Sequence, residues 1–250
     1  MNPVISKRSI KQIPLLEVVL KELRDEKIPI IIYYHGWQTS KELVLTQGRK
    51  FAKKGFRVLL PDAINHGERK QAVSSIPSFT FWNSIYGNLF EFDMLLNHLE
   101  KRGVLHDKVA VGGVSMGGIT ICSLLTKHPY LIGGICLMGS PAPLQYGKEI
   151  YKRAEKYHYL LPNDYFDLIS WVKHYDLSLQ PEKLAGRPLF FWHGKQDEKI
   201  PFQQTSDFVK KNQKELYGKG ITFHYSQTEK HIVKVPLMEN AANFLAEITH

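Results

Sequence analysis

Short runs of β-branched and aromatic residues alternate along the chain with longer stretches in which apolar residues recur at helical spacing. Ile28 to Tyr34 and Phe56 to Pro61 are such short runs, bounded by Gly or Pro. Between them Ser40 to Lys54 carries the helical spacing, and together the three segments predict a βαβ unit. A long, partly helical stretch (Trp82 to Arg102), a strand (Lys108 to Val114), a helix opening near Met116 and a strand (Ile132 to Leu137) follow. Strands apolar along nearly their whole length point to a parallel sheet covered by helices on both faces. From Pro141 to Pro188 no strand pattern appears and Pro143, Pro162 and Pro181 break the segment into short helical pieces. This stretch reads as an inserted helical cap. The alternation resumes with Pro188 to His193, a helix near Gln203 to Leu216, a strand from Ile221 to Tyr225 and a last helix from Pro236 to Ile248. Ile13 to Leu20 predicts an edge strand or hairpin. The expected organisation is therefore a core of residues 1–141 and 187–250 interrupted by a cap at 142–186.

Composition narrows the possibilities. The chain has 250 residues, 43% of them apolar, enough for one sizeable core. Its apolar runs are far shorter than the roughly 20 residues of a bilayer-spanning helix. The polar, charged N-terminus lacks the unbroken apolar stretch of a signal peptide, so no membrane span and a cytoplasmic location are expected. Two cysteines, Cys122 and Cys136, both in apolar segments, exclude a disulfide framework. Lys and Arg number 33 against 24 Asp and Glu, a net charge of +9, yet the basic residues are scattered among acids and no nucleic-acid-binding signature accompanies them. Lys148, Lys152, Arg153 and Lys156 do share a helical face, read here as a solvated surface.

The chemistry begins at Gly113-Val114-Ser115-Met116-Gly117, a G-x-S-x-G string placed where the strand ending at Val114 hands over to a helix. A serine in so sharp a turn projects its hydroxyl above the edge of the sheet and needs small neighbours, which Gly113, Gly117 and Gly118 provide. The glycines do not fit a dinucleotide fingerprint or a phosphate loop. A serine hydroxyl needs a base, and the base needs a carboxylate to hold its tautomer. Asp197, on the turn after the strand Pro188 to His193, is the chosen acid, with Glu198 its neighbour and rival. His231, in the polar loop after the last strand, is the chosen base; His224 lies within a strand and His250 is terminal. Two backbone N–H donors should face the charge that develops on a substrate carbonyl: Met116, the residue after the serine, and Trp37, in the His35-Gly36-Trp37 turn after the first parallel strand.

Together with Pro61-Asp62, His66-Gly67, His193-Gly194 and Ile200-Pro201, these motifs resemble the α/β-hydrolase fold over nearly the whole chain. More narrowly, they resemble small bacterial carboxylesterases of the dienelactone-hydrolase-like and prolyl-oligopeptidase-like group. The resemblance implies an eight-stranded, mostly parallel sheet with the triad in the order Ser115, Asp197, His231. Dienelactone hydrolases proper carry a cysteine at the position of Ser115, and the peptidases carry a propeller domain that has no room here, so an esterase is the activity implied. The expected reaction is cleavage of small-molecule carboxylic esters of small to medium acyl chain through an acyl-enzyme, with no metal or organic cofactor. Thioesterase, amidase or peptidase activity uses the same triad, and a non-catalytic ligand-binding module is the reading from another class.

Asp62 and His66 fall at the same sheet edge but would break the fold's triad order, and turn structure is the favoured reading. Ser170-Trp171-Val172-Lys173 is a coincidental S-x-x-K, since its companion motifs are absent. Phe79, Phe81, Trp82, Tyr86, Phe90, Trp171 and Tyr175 either line a substrate pocket or pack helices against the sheet.

Overall fold

The computed structural model describes residues 2–71 and 77–249. Eight strands, β1 (Pro3–Ile10), β2 (Ile13–Leu20), β3 (Ile30–Tyr34), β4 (Arg57–Pro61), β5 (Val109–Val114), β6 (Gly133–Leu137), β7 (Leu189–Gly194) and β8 (Ile221–Ser226), form one sheet. Its spatial order is β1-β2-β4-β3-β5-β6-β7-β8. The β1–β2 and β2–β4 pairs are antiparallel, and the pairs from β4 through β8 are parallel. Among the described residues seven α-helices accompany them: α1 (Leu45–Lys53), α2 (Pro77–Lys101), α3 (Met116–Lys127), α4 (Pro143–Lys156), α5 (Tyr165–Leu168), α6 (Phe202–Asn212) and α7 (Val235–Thr249).

The central strand β3 shows why the sheet is covered twice. All five of its side chains are buried. Ile30, Ile32 and Tyr34 join the core layer that contains α2, α3 and α6 residues, while Ile31 and Tyr33 face the layer built with α1 and α7. Period-two alternation therefore sends apolar side chains to both sides, each contributing on the order of 1.5–3 kcal/mol on burial.

Of the two places expected for Ile13–Leu20, the hairpin is the one it takes: it pairs antiparallel with β1 and is an internal strand, and the sheet edge is formed by β1, whose side chains alternate between exposed and half-buried. Glu17 of β2 is buried and ion-paired with Arg8 of β1, Arg57 of β4 and Arg102 beyond α2, so one carboxylate ties the antiparallel hairpin to the parallel sheet. Helix α2 also starts earlier than Trp82, at Pro77, a residue suited to a first helical turn.

Between β6 and β7 there is no strand: α4, α5 and two short 3-10 turns, Ser170–Tyr175 and Pro181–Leu184, fill the interval. Trp82 of α2 anchors this segment, donating from Nε1 to Tyr165 Oη at 2.9 Å and packing edge-on against Tyr146 and Trp171. Phe81 and Trp82 are buried in this way, whereas Phe90 is 72% exposed and does neither of the two jobs expected of the aromatic group. Both cysteines are buried and free, and burial pushes the Cys122 thiol well up. Among the described residues no helix is long and apolar enough to cross a membrane.

Candidate active site

At the carboxyl end of β5 the chain turns into α3 through Ser115, which sits at φ 58°, ψ −115°. A non-glycine residue at positive φ is strained and must be held from outside. Here the Ser115 N–H donates to Leu137 O of β6 at 2.8 Å and Ser115 O accepts from Ile119 N at 3.1 Å. The turn is also too tight for side chains at its flanks: a Cβ on Gly113 would stand 2.4 Å from the Gly117 backbone, and one on Gly117 2.2 Å from Tyr34 O. Glycine at both positions is what lets β5, α3 and β3 meet.

Two loops from distant parts of the sequence bring their side chains to this hydroxyl. Asp197 follows β7, and His231 lies between β8 and α7. His231 Nδ1 is 2.6 Å from Asp197 Oδ2, and His231 Nε2 is 2.8 Å from Ser115 Oγ. An ionised carboxylate can only accept, so Nδ1 carries the proton, and Nε2 is left to accept from the serine hydroxyl. Burial alone would raise the Asp197 carboxyl. Hydrogen bonds from His193 and His231, with the attraction of both rings, outweigh it and hold the group well below the usual carboxylate range. Its other oxygen, Oδ1, accepts from the N–H groups of Lys199 (2.8 Å) and Ile200 (3.1 Å). Glu198, the rival acid, points outward to Lys230.

His193, near the end of β7, holds the Asp197 carboxylate, a task that its place in the sequence does not announce. Its Nε2 is 3.1 Å from Asp197 Oδ2 and 3.0 Å from Ile200 O. Both are acceptors, so Nε2–H is shared between them, and the buried Nδ1 has no partner among the described residues. The last residues of β7 in a strand-turn-acid arrangement were the available signal; that the ring folds back onto its own turn was not legible.

The loop after β3 is fixed by a separate network. Gly36 O accepts from Thr39 Oγ1 (2.7 Å) and lies 2.8 Å from His35 Nδ1. Because the peptide is planar and trans, anchoring that carbonyl sets the Trp37 N–H on its opposite side. No described residue accepts from the Trp37 N–H or from the Met116 N–H at the start of α3, where helical N–H groups have no intrahelical partner. His35 Nε2 accepts from Ala63 N, and His66 Nε2 from Gln38 N, each at 3.0 Å. Burial pushes the His35 imidazole down to about 4. Asp62 is fully buried and accepts from the backbone N–H of Lys41 and Glu68 and from Lys41 Nζ at 2.6 Å. Asp62 and His66 thus clamp the turn that carries Trp37.

Over Ser115 and His231 opens a cavity of about 500 Å³, walled in part by Trp37, Leu43, Met138 and Val233. None of the seven aromatics singled out in the sequence lines it, nor does any described residue of 142–186. Lys148, Lys152 and Lys156 are solvated, but Arg153 turns away from that face and donates to Lys199 O at 2.7 Å. His250 lies outside the described residues. Among these residues no group of three or more His, Cys, Asp or Glu is gathered to hold a metal.

Residues 29–215 match the family model for the alpha/beta hydrolase fold. The chain belongs to the α/β-hydrolase family. This α/β hydrolase is 36% identical over 218 residues to "Putative esterase YitV" of Bacillus subtilis (strain 168), covering 82% of each chain. It is 24% identical over 244 residues to "Esterase YjfP" of Escherichia coli (strain K12), covering 97% of this chain and 98% of that one. Among solved structures, TT1662 from Thermus thermophilus shares the fold with a TM-score of 0.77 at 19% identity, over 100% of this chain and 99% of that one. The α/β-hydrolase topology, with its eight-stranded, mostly parallel sheet, is as expected from the sequence.

Proposed function

We propose that this α/β hydrolase is a serine carboxylesterase in which Ser115, His231 and Asp197 form the catalytic triad. The observation that carries the reading is the continuous hydrogen-bonded chain from Ser115 Oγ through the imidazole to the Asp197 carboxylate, at 2.8 and 2.6 Å. Ser115 Oγ attacks the ester carbonyl as His231 Nε2 takes its proton, and the resulting imidazolium is stabilised by Asp197. Negative charge moves to the carbonyl oxygen, where the free N–H groups of Trp37 and Met116 are the donors to receive it. His231 then returns the proton to the leaving alcohol. The acyl-enzyme is released when water, deprotonated by the same imidazole, attacks it.

A cavity of about 500 Å³ supports acyl chains of small to medium size. Residues 142–186 act as a cap that stands beside this cavity and is stapled to the acid-bearing loop by Arg153. The substrate is a small-molecule ester.

The test is a panel of p-nitrophenyl esters of graded acyl length, with matched thioester and amide substrates, on the wild type beside Ser115→Ala. Ester turnover should fall by about 10⁴- to 10⁶-fold in the variant, and labelling by a fluorophosphonate should vanish. Undiminished turnover in Ser115→Ala would overturn the triad; a thioester or amide preference would move the reaction class while leaving the triad in place.

A further inference from the structure

The cavity over Ser115 is mostly apolar, and among the described residues that line it Lys199 alone carries a fixed charge and none is a carboxylate. Lys199 is exposed, but its backbone is held on both sides. Its N–H donates to Asp197 Oδ1 at 2.8 Å, and its carbonyl accepts from Arg153 Nη1 at 2.7 Å. The side chain therefore starts from a fixed point at the cavity mouth, with the Arg153 guanidinium one hydrogen bond away.

Neither cation is neutralised. Asp197 is taken up by His231 and His193, Glu198 pairs with Lys230, Glu229 with Lys234 and Glu149 with Lys152, and Glu155, two residues from Arg153, is exposed. Among the described residues no carboxylate lies within salt-bridge distance of Lys199 or Arg153. Fastening the cap to the acid loop uses a single donor of the Arg153 fork, leaving an edge of the planar group suited to a carboxylate or phosphate. Two positive charges without an ion-pair partner at one side of the cavity attract anions entering it. The chain's net charge of +9 reinforces that field.

Resting on the serine-esterase reading of the site, we propose that its substrates are esters bearing an anionic group, carboxylate or phosphate, on the part remote from the scissile bond, received by Lys199 with Arg153 behind it. Orientation then follows from charge at one end and the Ser115 hydroxyl at the other, with the apolar wall between them accepting the methylenes that join the two.

The test compares p-nitrophenyl hydrogen glutarate with p-nitrophenyl pentanoate, which differ only in a terminal carboxylate for a methyl; the 4-phosphonobutanoate ester is the phosphate-like arm. The readout is the ratio of kcat/KM for the anionic ester to that for the neutral one, in which changes common to both cancel. In the wild type at low salt the ratio should exceed one and decline as ionic strength rises towards about 0.5 M. Lys199→Met should lower it by about 3-fold and Lys199→Glu by about 10-fold, on the scale of interactions between solvated charges. Lys199→Met with Arg153→Met should approach the charge-reversal variant. The larger of the carboxylate and phosphonate ratios identifies the preferred anion. A ratio that ignores both salt and Lys199→Glu overturns the inference while leaving the esterase reading intact. If neither ester is turned over by the wild type above the level of Ser115→Ala, it is the esterase reading that fails.

Discussion

Replacing Asp197 by Asn tests the geometry of the proposed triad more sharply than removing the proposed nucleophile, Ser115. The carboxylate accepts on both oxygens: Oδ1 from the N–H groups of Lys199 and Ile200, Oδ2 from His231 and His193. An asparagine has one acceptor oxygen, and the two backbone donors, which cannot change sign, claim it. Its NH2 group must then face the imidazoles. His231 can meet an N–H donor only by presenting an unprotonated Nδ1, which moves its proton to Nε2, the atom that must accept from Ser115 Oγ–H. The serine loses its base although every side chain stays in place. The loss expected for a wrong tautomer in such a triad is about 10³- to 10⁴-fold in kcat. KM should change little, because no contact with substrate is removed. Initial-rate kinetics on a small p-nitrophenyl ester would be paired with a melting curve to separate lost chemistry from lost folding. Should Asp197→Asn retain kcat within about tenfold of the wild type with an unchanged melting temperature, the inferred direction of these hydrogen bonds is wrong.

Two further outcomes follow from the same surroundings. His35 is held neutral by burial, its imidazole lowered from 6.5 to about 4; the unfolded chain therefore takes up a proton that the native state refuses. The stability this provides is present above about pH 6.5 and is lost as pH falls towards 4, by about 3 kcal/mol in total. Denaturant melts between pH 7 and 4 should show that much less acid sensitivity in His35→Gln, and equal slopes for the two proteins would contradict the assignment. At His193, Gln offers an amide N–H near the position of Nε2 while Met fills the space without one. Kcat should drop by about 10-fold or more in His193→Met and be largely restored in His193→Gln, whereas a purely space-filling ring predicts that both variants behave alike.

Much of the fold, and the residues gathered at the candidate site, were legible because the deciding features are local. The Gly113-to-Gly118 turn reveals itself by the crowding that only glycine survives, the strand leading to Asp197 is a run of Leu, Phe, Phe and Trp, and the one leading to His231 is rich in β-branched and aromatic residues. What escaped depends on tertiary context. Lys41 sits in a polar stretch, Thr39-Ser40-Lys41-Glu42, that offers no local reason for burial; its reason is Asp62, across the loop. Arg153 reads as one of four cations on a helical face, and only the fold of the segment around it shows that it leaves that face for Lys199 O. The strand β1 carries so few apolar residues that its alternation reads as solvent-facing chain until β2 is present to pair with it.

The ionic knot at Glu17 has a practical consequence for anyone seeking a minimal version of this enzyme. The matched family region begins at residue 29, after both arms of the hairpin, and so invites trimming there. A chain shortened to that point would leave the guanidinium of Arg57, wholly sealed from solvent in the intact protein, stranded without a counter-ion, with the flank of β4 stripped bare. Such a fragment should precipitate or stay unfolded, so the first two dozen residues are as indispensable to a working catalyst as the loops that bear its reactive groups.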